Sequence, residues 1–241
     1  MNPYRLLDPA VAFLHHLMVL TAGAVPAPAG GVRFAVALAL LTVATRILLL
    51  PLSVRALRAE RARAALAPGL ASLRRRHADD PRRLLAETSR LHREAGVSPM
   101  SGLGLGLLRL PVVLAVYRLA ALPVIGGSPN LLLTAHLFGA PMAAHWPEVL
   151  AVGGVLGPVA LLVLLAALTV LAALSSRAAV APAAGGEGDG ATAAVARVVR
   201  LMPYGTVVFA AVTPVAMGIY LLVSTAWGLA ERRLLPRLVT A

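Results

Sequence analysis

Apolar runs of membrane-spanning length alternate along this chain with short stretches crowded with arginine. Residues 33–52 form the first run, and ~20 apolar residues are what an α-helix needs to cross ~30 Å of hydrocarbon. Residues 100–122 and 149–175 form two more. Residues 198–231 hold too many apolar positions for one crossing and break at Thr213-Pro214. Proline there removes a helical hydrogen bond, so two short spans are expected, 198–213 and 214–231. Ahead of these, residues 1–32 contain Val11-Ala-Phe-Leu-His-His-Leu-Met-Val-Leu20. That segment is too short and polar for a span and reads as an amphipathic helix lying at the interface.

The segments between the spans differ in kind. Residues 53–99 are polar and helical. In them Asp80 suits an N-cap, Pro81 the first helical position and Gly96 a C-terminal stop. Leu84, Thr88, Leu91 and Ala95 give a narrow apolar face, so this insert is expected to be a helical hairpin. Residues 123–148, rich in Gly, Pro and Asn, read as an external loop. Residues 176–197, with Gly185-Gly-Glu-Gly-Asp-Gly190, read as a flexible linker. Residues 232–241 are a short basic tail.

Composition fits this pattern: 59% hydrophobic, 13% charged, mean hydropathy +0.83. Such a chain is an integral membrane protein, all-α and polytopic, with five spans. Its net charge of +12 would suggest nucleic acid in a soluble protein, but here the arginines are unevenly placed. Eleven lie between 55 and 93, three at 177, 197 and 200 in and just after the linker, and three in the tail, against Arg5 and Arg33 on the opposite side. The positive-inside rule then puts the N-terminus outside, the C-terminus and the hairpin in the cytoplasm, and the protein in the cell membrane. No specific nucleic acid is expected. The arginine-rich surfaces also suit anionic lipid headgroups.

Two arginines interrupt apolar runs, Arg46 before Leu50-Pro51-Leu52 and Arg109 before Leu110-Pro111. A cation inside a span costs at least ~2.5–3.5 kcal/mol, so it should face protein or a wet cavity and mark function. Snorkelling to the headgroups competes with that reading for Arg46. Four apolar residues and Pro51 separate Arg46 from the basic flank, however, and Thr42, Ala39 and Val43 stack beside it, a small and mildly polar stripe.

Other chemistries have little to use. The chain has no cysteine, which removes disulfides and thiolate catalysis. No Asp or Glu lies inside the five spans, whose last ends at Glu231, so paired-carboxylate or metal-dependent catalysis lacks residues. His15 and His16 diverge by about 100° on a helix, and His136 and His145 lack companion ligands, so no metal is expected. Without a Gly-x-x-x-x-Gly-Lys loop no nucleotide cofactor is expected either. An enzyme is thus disfavoured. A coupled transporter, which normally uses an intramembrane acid or broken-helix repeats, is disfavoured as well.

The ordered set Arg46 … Leu50-Pro51-Leu52, Leu66-Ala-Pro68, Leu73-Arg74, Asp79-Asp80-Pro81, His92-Arg-Glu-Ala-Gly-Val-Ser-Pro99, Leu110-Pro111, Met202-Pro203, Pro214 and Gly218-Ile-Tyr-Leu-Leu-Val-Ser224 closely resembles the YidC/Oxa/Alb family of membrane protein insertases, in a divergent, actinobacterial-type form. The resemblance implies five transmembrane helices around a hydrophilic groove that opens to the cytosol and to lipid and is sealed outside. It also implies a cytoplasmic helical hairpin between the first and second spans, and a receptive arginine, here Arg46. The family usually has glutamine where Arg109 stands, so Arg109 is a candidate second charge. Thr42, Tyr220 and Ser224 are candidate groove residues. The implied function is to take hydrophilic tails or loops of client membrane proteins into the groove and release their apolar helices into lipid. An assembly chaperone that does not insert is the alternative. Nascent membrane proteins are the implied partners, with the ribosome and the Sec channel as possible further ones, and a monomer is compatible with this role.

Overall fold

A computed structural model describes residues 7–26, 30–96, 103–151, 154–179 and 190–239, and within them leaves aside the side chains of 63, 103–109, 179, 190–196 and 236–239. Helix makes up 82% of the described residues, in keeping with the all-α class. The elements in order are α1 (Asp8–Ala24), α2 (Gly30–Leu48), α3 (Leu50–Ala65), α4 (Ala67–Arg76), α5 (Pro81–Glu94) and α6 (Leu103–Ala121). There follow β1 (Val124–Ile125), β2 (Ser128–Pro129), α7 (Leu131–Thr134), β3 (His136–Leu137), β4 (Ala140–Pro141) and α8 (Trp146–Ala151). The long helices α9 (Leu156–Ala179), α10 (Gly190–Val212) and α11 (Val215–Val239) complete the chain. It divides into two compact units, Met1–Ile47 with Val113–Arg233, and Leu48–Val112 with Leu234–Ala241.

In the first unit, two helices among the described residues are long and apolar enough to cross a membrane, Gly30–Leu48 and Leu156–Ala178. Only 28% and 22% of their apolar windows are buried. The core helix of a soluble protein would hide most of such a surface, whereas these helices leave most of theirs uncovered. Leu40, Leu162, Val163 and Val170 are among the residues that point outward. The broadest helix–helix contact runs between α9 and α10. Where α9 meets α11, a Cβ on Gly218 would lie 2.7 Å from Leu164 Cδ2, so glycine permits the approach.

The first apolar run does not continue unbroken to residue 52. Helix α2 stops at Leu48, and α3 restarts with Leu52 and Ser53 N–H groups bonded to the Leu49 carbonyl at 3.1 and 3.0 Å. Pro51 explains the break. It has no N–H to give to residue 47, and its ring crowds that carbonyl. The third run likewise divides, into α8 and α9, with Gly154 at φ +94 in the joint. Linker and helix also share residues differently from the sequence reading: α9 continues to Ala179 and α10 begins at Gly190, while 180–189 lie outside the described residues. Helices α10 and α11 part at Thr213-Pro214, as expected.

Residues 123–148, expected to be a loop, are instead an ordered cap with two antiparallel hairpins, β1–β2 and β3–β4. Asn130 is its keystone. Its buried Nδ2 donates to the carbonyls of Leu119 at 2.6 Å and Leu122 at 2.9 Å, closing the end of α6. Its Oδ1 accepts from Leu132 N–H and starts α7. Farther on, Ala144 and Met142 offer carbonyls to the Val215 and Ala216 N–H groups at 3.1 and 2.9 Å. Those donors, at the start of α11, would otherwise lack partners. A Cβ on Gly31 would overlap the His136 carbonyl, so the cap sits directly on the start of α2.

In the second unit, α4 and α5 pair as a helical hairpin. Asp80 Oδ1 accepts from Arg83 N–H at 3.0 Å, Pro81 is the first helical residue, and Gly96 takes φ +64 after the last turn. The interface is shallow. No residue of either helix is fully buried, and Leu91 meets Gly69 where a larger side chain would crowd it. Arg90 lies between Glu87 and Glu94, and its hydrogen bond to Glu94 raises its pKa further, helped by both negative charges.

Candidate functional site

The α2 stripe that faces protein consists of Leu38, Thr42 and Arg46, one turn apart. Arg46 retains 9% exposure. Its Nη2 donates to Ser224 Oγ and, at 3.3 Å, to the Ser224 carbonyl. Tyr220 lies one turn earlier on α11 and is also buried, at 5% exposure. Arg46, Thr42, Tyr220 and Ser224, remote in sequence, thus fall on two protein-facing helical stripes, and Arg46 and Ser224 touch. Thr42 does not aim its hydroxyl across the gap. The Oγ1 donates back to the Leu38 carbonyl at 2.7 Å. Arg109 is carried on α6, but its side chain lies outside the described residues.

Both acceptors at Arg46 are neutral. Among the described residues no carboxylate pairs with it, so the site is a desolvated cation stabilised by dipoles. Hydrogen bonds from a charged donor are worth ~1.5–3 kcal/mol each, enough to hold the side chain in place. They leave its positive field intact, available to an incoming anion. The opposite side of α11 is different. Ile219 and Leu222, with Val32, Leu137, Leu156 and Val163, line an apolar cavity of about 550 Å³.

The 60Kd inner membrane protein family model matches residues 27–240. The chain belongs to that family, the YidC/Oxa/Alb insertases. A membrane protein insertase YidC from Clostridium perfringens is 30% identical over 87 residues, which cover 36% of this chain and 37% of that protein. One from Streptomyces avermitilis is 33% identical over 116 residues, 45% of this chain and 27% of the relative. Insertase YidC 1 of Halalkalibacterium halodurans is 36% identical over 89 residues, 35% of each. The matched stretches therefore span little more than a third of these relatives at most. Membership in the YidC/Oxa/Alb family makes this a membrane protein with apolar helices that enter lipid.

Several structured polar residues were not singled out from the sequence. Asn130 had a local signal, an Asx residue directly before Leu131-Leu-Leu. The ion pair between Arg118 Nη2 and Asp8 Oδ1, 2.6 Å long, had none, because 110 positions separate the partners. His15 is another. At 7% exposure its Nε2 has no hydrogen-bond partner, and burial, then the neighbouring His16, pulls its pKa below 6.5.

Proposed function

We propose that this protein is a membrane protein insertase with Arg46 as its receptive charge. In this reading α2, α6, α9, α10 and α11 are the five spans, with the N-terminus outside and the α4–α5 hairpin and the C-terminus in the cytoplasm. Thr42, Tyr220 and Ser224 line a hydrophilic groove, and Arg109 adds a second attractive charge. The observation that carries the proposal is a buried guanidinium whose partners among the described residues are neutral oxygens, in a chain of the insertase family.

The mechanism follows from the obstacle. A client's polar tail must pass ~30 Å of hydrocarbon. A groove reaching part way in shortens the desolvated path, and a fixed cation at its inner end draws acidic side chains of the tail into it. A pair of opposite charges ~4 Å apart gains roughly 4 kcal/mol at an effective dielectric of 20, which offsets part of a carboxylate's burial cost. The client's apolar helix then partitions into lipid, so no nucleotide is consumed.

Rescue of cells depleted of their own insertase tests this function. Expression of the chain is expected to restore growth and membrane insertion of short-tailed clients. Stable expression in the membrane with no recovery of client insertion would overturn the proposal.

A further inference from the structure

Away from Arg46, a second polar feature sits where α1 meets the end of α6. Arg118 retains 16% side-chain exposure and Asp8 52%, and their ion pair stands on the rim of a cavity of about 690 Å³. The remaining wall is apolar: Val11 and Ala12 from α1, Leu122 after α6, and Ile125 of β1. Two of these, Val11 and Ile125, are almost wholly buried. Meanwhile α1 exposes Phe13 and Leu20, so the helix has one side on protein and an apolar side turned outward. Arg118 itself stands in the last turn of α6, at the end of a proposed span, where a charged pair meets the headgroups. The cavity is thus placed at headgroup level, with charge at its mouth and apolar wall behind.

The geometry points to a seat for one zwitterionic aminophospholipid of the outer leaflet, of the phosphatidylethanolamine class. The pair as a whole is neutral, so it has no long-range pull on a net anion. What it offers is a dipole with a guanidinium at one end and a carboxylate at the other. A phosphoethanolamine headgroup presents the complementary pattern, its phosphate toward Arg118 and its ammonium toward Asp8, while the glycerol and first methylenes cover the apolar wall. The Asp8 carboxylate is half exposed, so it can accept from the ammonium N–H groups as well as from Arg118. Choline, with methyl groups in place of those donors, satisfies the phosphate end alone. Phosphatidylglycerol brings no cation for Asp8. The inference rests on the outward placement of α1 and the end of α6, and not on the role of Arg46.

The test uses the full chain in nanodiscs of equimolar phosphatidylethanolamine, phosphatidylcholine and phosphatidylglycerol with matched acyl chains. Lipids that stay bound after transfer to detergent are counted by native mass spectrometry. The wild type is expected to retain phosphatidylethanolamine about tenfold over phosphatidylcholine, the value of one charge-assisted hydrogen bond. Asp8→Asn should abolish that preference, Asp8→Glu should restore most of it, and Arg118→Gln should lose both zwitterions. Thermal unfolding of each variant serves as the fold control. Equal retention of the two zwitterions by the wild type, or an unchanged ratio in Asp8→Asn, overturns the proposal. So does displacement of the lipid by an equal concentration of water-soluble glycerophosphoethanolamine, because the apolar wall would then contribute nothing. Client insertion measured in the same nanodiscs reports on Arg46 separately.

Discussion

Replacing Arg46 by alanine separates attraction from architecture. The guanidinium contributes two hydrogen bonds to Ser224, each worth ~1.5–3 kcal/mol. Against this stands the ~2.5–3.5 kcal/mol cost of keeping a cation within a span. The two partly offset, so the variant is expected to fold with a stability loss of about 1.5 kcal/mol and at most about 3.5 kcal/mol. Attraction for a client carboxylate has no such counterweight. Even half of the roughly 4 kcal/mol available at ~4 Å corresponds to about a thirtyfold change in rate, at 1.36 kcal/mol per decade. The assay is protease protection of a client's translocated N-tail in proteoliposomes, run with an acidic tail and with the same tail carrying Asp→Asn changes. Arg46→Ala should slow the acidic client about thirtyfold and the neutral client within threefold. Arg46→Lys should recover part of the loss, since an ammonium keeps the charge but cannot reproduce the guanidinium's donor geometry. An equal loss for both tails would mean a structural role. No loss for either would refute the electrostatic account.

Three further perturbations probe the cap and α1. Asn130→Ala leaves the Leu119 and Leu122 carbonyls without their donor and should lower stability by about 1–3 kcal/mol, read as a drop in Tm in detergent. Gly31→Val drives a side chain into the His136 backbone and should unseat the cap from α2, read as faster proteolysis within 130–145; an unchanged digest would contradict the contact. His15 is buried neutral, so its folded pKa is below 6.5 and the unfolded chain takes up the proton first as pH falls. Stability is therefore complete above about 6.5 and declines as pH drops through and below that value. His15→Leu should flatten the decline when Tm is followed from pH 7.5 to 4.5.

What could be read from the chain alone depended on whether the signal was local. The hairpin's Asp80 cap, the Pro81 start and the Gly96 stop act within a turn or two of themselves, and the structure has each of them. Arg46 was legible because a lone cation in an apolar run is costly wherever the chain goes next. Its partner was less so. Ser224 is 178 residues away, and family resemblance rather than spacing singled it out. The 123–148 cap was illegible for a related reason. Its order comes from Asn130 reaching back to α6 and from the Met142 and Ala144 carbonyls reaching forward to α11, while Gly and Pro in between erase any apolar period. The helix end at Leu49 follows from Pro51, but the long apolar run around it disguises the break.

The carbonyl grip of the 123–148 cap on α11 also works as a depth gauge. From Val215 to Ser224 is nine residues, or ~14 Å of helix, and α11 cannot slip along its axis without breaking both bonds at its first turn. The level of the guanidinium is therefore referenced to the protein's own lid rather than to the lipids around it. A thicker bilayer would lengthen the journey of a client's apolar segment while leaving the distance between lid and charge unchanged.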